Sequence, residues 1–473
     1  MAKTVLVADD IEPNRKLLNA RLQHGHYKTL MAADGEETLE QAKDQRPDII
    51  MIDLMMPGMN GFETGQALRC NPETADIPII FITALDDDNT IMQQRPAFGD
   101  GCLIKPFDDT TLFQQIQSAI SAAAERKAID LHLRTSETLA LKNRVPFKPD
   151  SNNEPDVGIN RLLLSDSLNK TQNIRKALEP DDSPLTVISP IKAEAVEIHL
   201  AKLDEKKTVI LVCADTLPAL QREQSAPPAT IWLTSHKKKR QAQAMISAGR
   251  ISSAIFSSQQ NPDCWHGYEI RSRIKTLVDQ QRRRLTINSL LQSLPKDISH
   301  PASGLPQKKY LVTFLTHLLE QNSADEQTAG LIKIQVNDIE SMRENFGDRP
   351  VERLICEMSR RLMREKSIRG MIAQTEQDTF EIVIPMVDRD TLFTIAETIQ
   401  RDLTLNPYHP FHATAKPPKI VVSVGGLILR SGTTINPEKI LGQLDDALLH
   451  ARASGDNCIY FDGMGLISSQ NRI

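Results

Sequence analysis

The 473-residue chain has few aromatics, 4% of its residues, and no surplus of either charge: 56 Lys and Arg stand against 61 Asp and Glu, a net charge of -5. The weak charge balance gives no reason to expect DNA or any nucleic acid as a bulk electrostatic partner, and scarce aromatics disfavour a stacking platform for single strands. No apolar run approaches the ~20 residues of a membrane span. The opening Met1-Ala2-Lys3-Thr4 runs into a strand pattern without the apolar segment of a secretion signal. A protein that does not insert directly into membranes is expected. The six cysteines, at 70, 102, 213, 264, 356 and 458, show neither CxxC nor CxxH spacing. Neither a zinc site nor a disulfide framework is suggested, and a reduced, cytoplasmic compartment fits.

What is present is enough apolar residue, 40%, to fold throughout, in a chain too long for one ordinary core. Short, nearly continuous apolar runs occur at Thr4-Val5-Leu6-Val7-Ala8, Ile49-Ile50-Met51-Ile52, Ile79-Ile80-Phe81-Ile82 and Cys102-Leu103-Ile104. Separated by helical patterns, they predict strands buried on both faces of a doubly wound parallel sheet over residues 1–125. A helix extends outward from Ser118 through Arg126, and Lys142 to Pro155, rich in Pro, Asn and Asp, reads as linker, so 126–157 is assigned as helical extension and linker.

The runs end on chemistry. Asp9-Asp10 follows the first, Asp53 the second, Thr83 the third and Lys105-Pro106 the fourth. Ligands bind at the carboxyl ends of strands in such sheets. Phosphoryl transfer to a carboxylate needs a nucleophilic Asp, a divalent metal and a cation for the product's charge. Asp53 is the candidate phosphoacceptor, Asp9, Asp10 and Asp53 the candidate oxygen ligands for Mg²⁺, Thr83 offers a hydroxyl and Lys105 an ammonium.

A similar strand pattern recurs over 158–296 in Arg161-Leu162-Leu163-Leu164, Thr208-Val209-Ile210-Leu211-Val212-Cys213 and Ala229-Thr230-Ile231-Trp232-Leu233. In this repeat Cys213 stands at the nucleophile position, Asp166 lies between Ser165 and Ser167, and Ser257-Ser258-Gln259 fills the Lys-Pro region. Without a placed carboxylate and lysine this unit is an adaptor or dimerisation surface, and Cys213 reads as an inert core cysteine. Lys237-Lys238-Lys239-Arg240 reads as a solvated face. A helix over Glu269–Leu294 connects to a final α+β unit, 297–473, in which strands at 329–336, 380–385 and 419–424 alternate with amphipathic helices.

The residue set Asp9, Asp10, Asp53, Thr83, Lys105 resembles the receiver domain of two-component response regulators. The resemblance implies a flavodoxin-like fold, phosphate donated by a histidine kinase or phosphotransfer protein, and a Thr83 shift that repacks the face of the fourth helix and fifth strand. Cys102 stands where the family places its aromatic switch residue.

The order receiver, degenerate receiver, α+β resembles the PleD-type diguanylate cyclases. The last unit resembles the GGDEF, or nucleotide-cyclase-like, domain through Ser303-Gly304-Leu305, Asn345-Phe346-Gly347, Ser423-Val424-Gly425, Asp445-Asp446-Ala447 and Ala451-Arg452-Ala453-Ser454-Gly455. The family reaction joins two GTP molecules and needs carboxylates for metal. The signature falls on Glu376-Gln377-Asp378-Thr379-Phe380, and the metal aspartates align with the neutral Gln335 and Asn337. Arg343 replaces the guanine-reading asparagine, and Asp456 stands at a family arginine. The product-inhibition motif aligns with Ser367-Ile368-Arg369-Gly370, and Arg364 and Arg369 read as solvated.

The expected function is a response regulator phosphorylated on Asp53 that signals by homodimerisation or through a downstream protein, its cyclase inactive. Two alternatives stand beside it: an active diguanylate cyclase controlled by the receiver, or a receptor binding GTP or cyclic di-GMP without turnover.

Overall fold

The computed structural model describes residues 3–84, 99–139, 160–165, 185–188, 208–213, 229–234, 253–256, 267–325, 328–365, 367–405, 420–429, 436–462 and 465–468, with scattered helical residues between 170 and 245. The expected linker 142–155, the 166–167 and 257–259 segments of the second unit and most of the Lys237–Arg240 run lie outside them.

The first sheet takes β1 (Thr4–Ala8), β2 (Lys28–Ala32), β3 (Ile49–Asp53), β4 (Ile79–Ala84) and β5 (Gly101–Lys105) in the order β2-β1-β3-β4-β5, all parallel. Alternation decides which face each residue serves. Val5, Val7, Met51 and Ile82 meet α1 (Glu12–His24) and α4 (Asp109–Thr138), while Leu6, Ile50, Ile52 and Phe81 meet α2 (Gly35–Gln45) and α3 (Gly61–Cys70).

In the second unit β6 (Asn160–Ser165), β7 (Leu185–Ile188), β8 (Thr208–Cys213), β9 (Ala229–Thr234) and β10 (Ser253–Phe256) are parallel in the order β10-β9-β8-β6-β7. This is the first sheet's topology repeated. Ser165 pairs with Cys213 one step beyond Leu164–Val212, the register place that follows Ala8–Ile52 in the first sheet. The pair thus occupies the positions of Asp9 and Asp53, and Cys213 is buried, as the inert reading expects.

The last sheet is six-stranded, ordered β12-β13-β11-β14-β15-β16 from β11 (Ala329–Val336), β12 (Met371–Gln374), β13 (Thr379–Pro385), β14 (Val422–Leu429), β15 (Cys458–Phe461) and β16 (Gly465–Ser468). β11 runs antiparallel to β13 and β14, the mixed arrangement of an α+β unit. One face is covered by α7 (Ile339–Phe346), α8 (Asp348–Arg364) and α9 (Arg389–Leu405); the other by α6 (Lys308–Asp325) and α10 (Pro437–Ala453).

Two long helices join these units. α4 starts where the Asp108 carboxylate accepts from Thr111 N at 2.8 Å, and its alanine-rich middle contains neither glycine nor proline to stop it. The sequence points this helix outward. It is instead buried: Leu112, Ile116 and Ala119 pack on the receiver sheet, while Ala128 and Leu131 belong to the core of the last unit with Leu311, Phe314 and Leu315. α5 (Gly267–Gln292) does the same from the second unit, with Ile270, Ile274 and Val278 in one core and Ile287 and Leu291 in the other. The connecting helix expected between Glu269 and Leu294 is this one.

His132 of α4 is fully enclosed, its Nδ1 2.9 Å from the Tyr310 hydroxyl and its ring against Phe314. Burial pushes its pKa down to about 4, partly opposed by the Gly370 backbone beside it. The unfolded chain, near 6.5, takes up a proton that the folded chain refuses, so stability falls as pH drops from about 6.5 to about 4. A difference of roughly 2.5 units corresponds to about 3 kcal/mol. Denaturation at pH 7.0 and 4.5 is expected to show a smaller acid loss in His132→Asn than in wild type; equal losses would refute the assignment.

Candidate functional site

The loop after β3 is set by its neighbours. Leu54 N donates to Ile82 O at 2.9 Å, and α3 begins with a reciprocal cap in which Asn60 accepts from Phe62 and Glu63 while Glu63 accepts from Asn60 N at 3.0 Å. Gly61 is needed here because a Cβ would lie 2.3 Å from Asp53 O. The loop therefore folds tightly back on the strand end that carries Asp53.

Three of the expected groups converge. Lys105 Nζ donates to Asp9 Oδ2 at 3.0 Å and also to Asp53 Oδ2, so one ammonium bridges two carboxylates from β1 and β3. Asp9 is wholly buried and is held by Ile11 N at 2.9 Å and by Asn14 Nδ2 at 3.2 Å from both of its oxygens. Arg15 adds a hydrogen bond to Asp9 O at 2.5 Å. Thr83 is buried on β4, in register with Ile104, one place before the Ala84–Lys105 pair. Asn14 and Arg15 escaped the sequence reading; their signal is a position one turn into the helix that follows the acidic pair.

Burial pushes Asp9 up, but its hydrogen bonds with Asp53, Lys105 and Ile11 outweigh this and leave it below the usual range. Asp53 goes up, first through burial and then through the bond to Asp9, against the pull of Lys105. Burial alone would lower Lys105; the two carboxylates raise it. Asp10 is exposed, and among the described residues no three His, Cys, Asp or Glu side chains are gathered into a finished metal site. Asp9 and Asp53 already share one cation through hard oxygen atoms, which is the donor chemistry that suits Mg²⁺.

The second candidate site lies where β11, β13 and α10 meet. Gln335 Nε2 donates to Asp378 Oδ2 at 3.1 Å, and Arg452 Nη1 donates to Gln335 Oε1 at 3.0 Å. Asn337 Oδ1 accepts from Ser423 Oγ at 3.1 Å, and Thr379 Oγ1 donates to Asp378 Oδ1 at 2.9 Å. Arg343 reaches Gln377, tying α7 to the signature turn, while Glu376 and Asp456 are exposed and Phe380 is core. Two neutral amides, Gln335 and Asn337, thus stand at this strand end, and their side-chain oxygens are bonded to Arg452 and Ser423.

Arg364 is exposed, as expected of a solvated face. Arg369 is not: it is half-buried and donates to Ser121 of α4, because the receiver helix lies against it. At Gly370, where the inhibition motif has aspartate, a Cβ would come 1.8 Å from Val383 O.

Comparison with known proteins identifies the first and the last of these units by family. The response regulator receiver domain family matches residues 5–117, and the diguanylate cyclase GGDEF domain family matches 299–458. Response regulator PleD of Caulobacter vibrioides is 26% identical over 468 residues, 97% of this chain and 99% of PleD. Protein PilH of Pseudomonas aeruginosa is 31% identical over 118 residues, 25% of this chain and 97% of PilH. The GGDEF domain of DgcB from Caulobacter crescentus, solved in complex with c-di-GMP, aligns with 36% of this chain and 96% of its own at 14% identity and a TM-score of 0.34. With Asp9, Asp53 and Lys105 brought together at the strand ends of its first unit, the chain belongs to the response regulators, carrying a receiver domain and a GGDEF domain in the order seen in PleD-type proteins.

Proposed function

We propose that the chain is a phosphorylation-controlled response regulator in which Asp53 accepts phosphate from a histidine kinase or phosphotransfer protein and the GGDEF domain transmits the signal without making cyclic di-GMP. The observation that carries this reading is Lys105 placed between the carboxylates of Asp9 and Asp53. When Mg²⁺ is bound, it neutralises phosphoryl oxygens; Asp9, Asp10 and Asp53 are the side chains that would hold it. Lys105 then pairs with the acyl phosphate, and Thr83, one register place away on β4, supplies the hydroxyl that senses it.

In the GGDEF domain, the amides of Gln335 and Asn337 and the long Glu376 and Gln377 side chains support a non-catalytic role. Output then leaves through protein contacts, those of a homodimer or a downstream partner. The division into 1–125, 126–157, 158–296 and 297–473 belongs to the same proposal.

Incubation with a radiolabelled phosphodonor and Mg²⁺ is expected to label wild type, and Asp53→Asn is expected to lose at least about 99% of the label, since Asp9, the other carboxylate beside Lys105, is wholly buried and bonded to Ile11 N and Asn14. Equal labelling of the two proteins would remove the assignment.

A further inference from the structure

The two long helices pack together, and their contact includes an ion pair. Arg283 Nε of α5 donates to Glu125 Oε2 of α4 at 3.0 Å, with Glu125 fully buried. One residue on, Arg126 reaches Asp100 at 2.6 Å, and four residues back Ser121 receives Arg369 of the last domain. Asp100 itself takes Arg69 at 2.7 Å and Ile79 N at 2.9 Å, where the chain re-enters the receiver sheet between Thr83 and Lys105. A single stretch of α4 therefore touches all three units. Further along, Asp130 accepts from Gln321 at 2.8 Å and Thr138 meets His317 at 2.9 Å, both on α6. At the other end of the contact Lys3 lies 3.8 Å from Asp388 at the start of α9, with Asp48 and Arg369 close enough to act on its charge.

We infer that Ser121–Arg126 is a latch that holds the receiver on the GGDEF domain and carries a change at the receiver directly to it, with no second messenger between them. The latch deepens the Asp53 reading, since phosphorylation is what would move the receiver. Its parts suit a two-position device. Asp100 gathers the receiver's strand edge, Arg126 ties that edge to α4, and Glu125 and Ser121 tie α4 to α5 and to Arg369. A buried ion pair holds only while both charges stay aligned, because either one left alone is strongly disfavoured. Rotation or sliding of α4 by a fraction of a turn therefore breaks the contact as a unit rather than gradually. The face that receives α4 contains Arg369 and Gly370, the region where related domains carry the inhibition motif; here it is filled by the chain's own receiver helix.

Hydrogen exchange in the full chain tests this. Glu125→Gln, which keeps the shape and removes the charge, is expected to speed exchange in α6 (308–325) by about tenfold with no phosphate analogue present, as a buried pair is lost. Arg369→Ala, in case Glu125→Gln folds poorly, is expected to act in the same direction. Adding beryllofluoride and Mg²⁺ to wild type should also speed α6, and Arg126→Ala should keep the receiver's own response while α6 no longer follows. Unchanged α6 exchange in both Glu125→Gln and Arg369→Ala overturns the latch, as does a wild-type receiver that responds to beryllofluoride while α6 does not. A receiver that ignores beryllofluoride overturns the Asp53 reading instead, and the Glu125→Gln and Arg369→Ala arms then decide the latch alone.

Discussion

The 473-residue chain supplied with GTP and Mg²⁺ is expected to form cyclic di-GMP about 10⁴- to 10⁶-fold more slowly than a GGDEF domain that keeps both strand aspartates. On the non-catalytic reading two metal carboxylates are missing, and at ~3 to 4 kcal/mol of transition-state stabilisation each, their absence multiplies to that range. Gln335 and Asn337 offer neutral oxygens, and those oxygens are already bonded to Arg452 and Ser423. Asp378 keeps a carboxylate, but it accepts from Gln335 and Thr379, so a metal would have to displace both. Beryllofluoride should not raise the rate, because no movement of the receiver supplies the missing charge. Product quantified by liquid chromatography at a rate within about a hundredfold of an intact domain would refute the non-catalytic reading. Gln335→Asp alone should stay inactive, since Asn337 remains neutral.

The second large effect concerns stability. Lys333 is buried in the sheet between Glu381 on β13, at 2.8 Å, and Asp445 on α10. Burial opposes its charge, yet the two carboxylates hold its pKa above the ordinary value. Glu381 is itself buried and also accepts from Thr375 at 3.2 Å. Lys333→Met leaves that carboxylate without its cation inside the domain, and removing one partner of a buried pair costs about 3 to 5 kcal/mol. The loss should appear as faster hydrogen exchange in β11 and β13. Lys333→Met combined with Glu381→Leu should recover most of it, because an apolar pair leaves no stranded charge. A single variant as stable as wild type would refute the buried pair's contribution.

Legibility differed from site to site for physical reasons. The receiver constellation could be read because each of its residues ends an apolar run, and in a parallel sheet strand ends converge. Asn14 and Arg15 could not, since a helix turn after the acidic pair places many polar residues and only packing decides which fold back on Asp9. That neutral amides stand at 335 and 337 was visible by position. That Gln335 links Arg452 to Asp378 was not, because it joins residues from three separate elements. Arg369 was read as a solvated charge, and only the arrival of α4 makes it an interface residue.

By itself the sequence determined that a receiver-type α/β unit opens the chain and a GGDEF-type α+β unit follows, that strands run at the apolar segments, and that acids stand at 9, 10 and 53 and neutral amides at 335 and 337. These depend on periodicity and on residue type at strand ends, both local properties. The tertiary structure decided that α4 turns inward to complete the last domain's core with Ala128 and Leu131, and that Glu125, Arg126 and Ser121 meet partners from every unit. An alanine-rich helix carries little amphipathic signal, so nothing in its own residues says which surface it will cover. That choice rests on the shape of a neighbour far away in the chain.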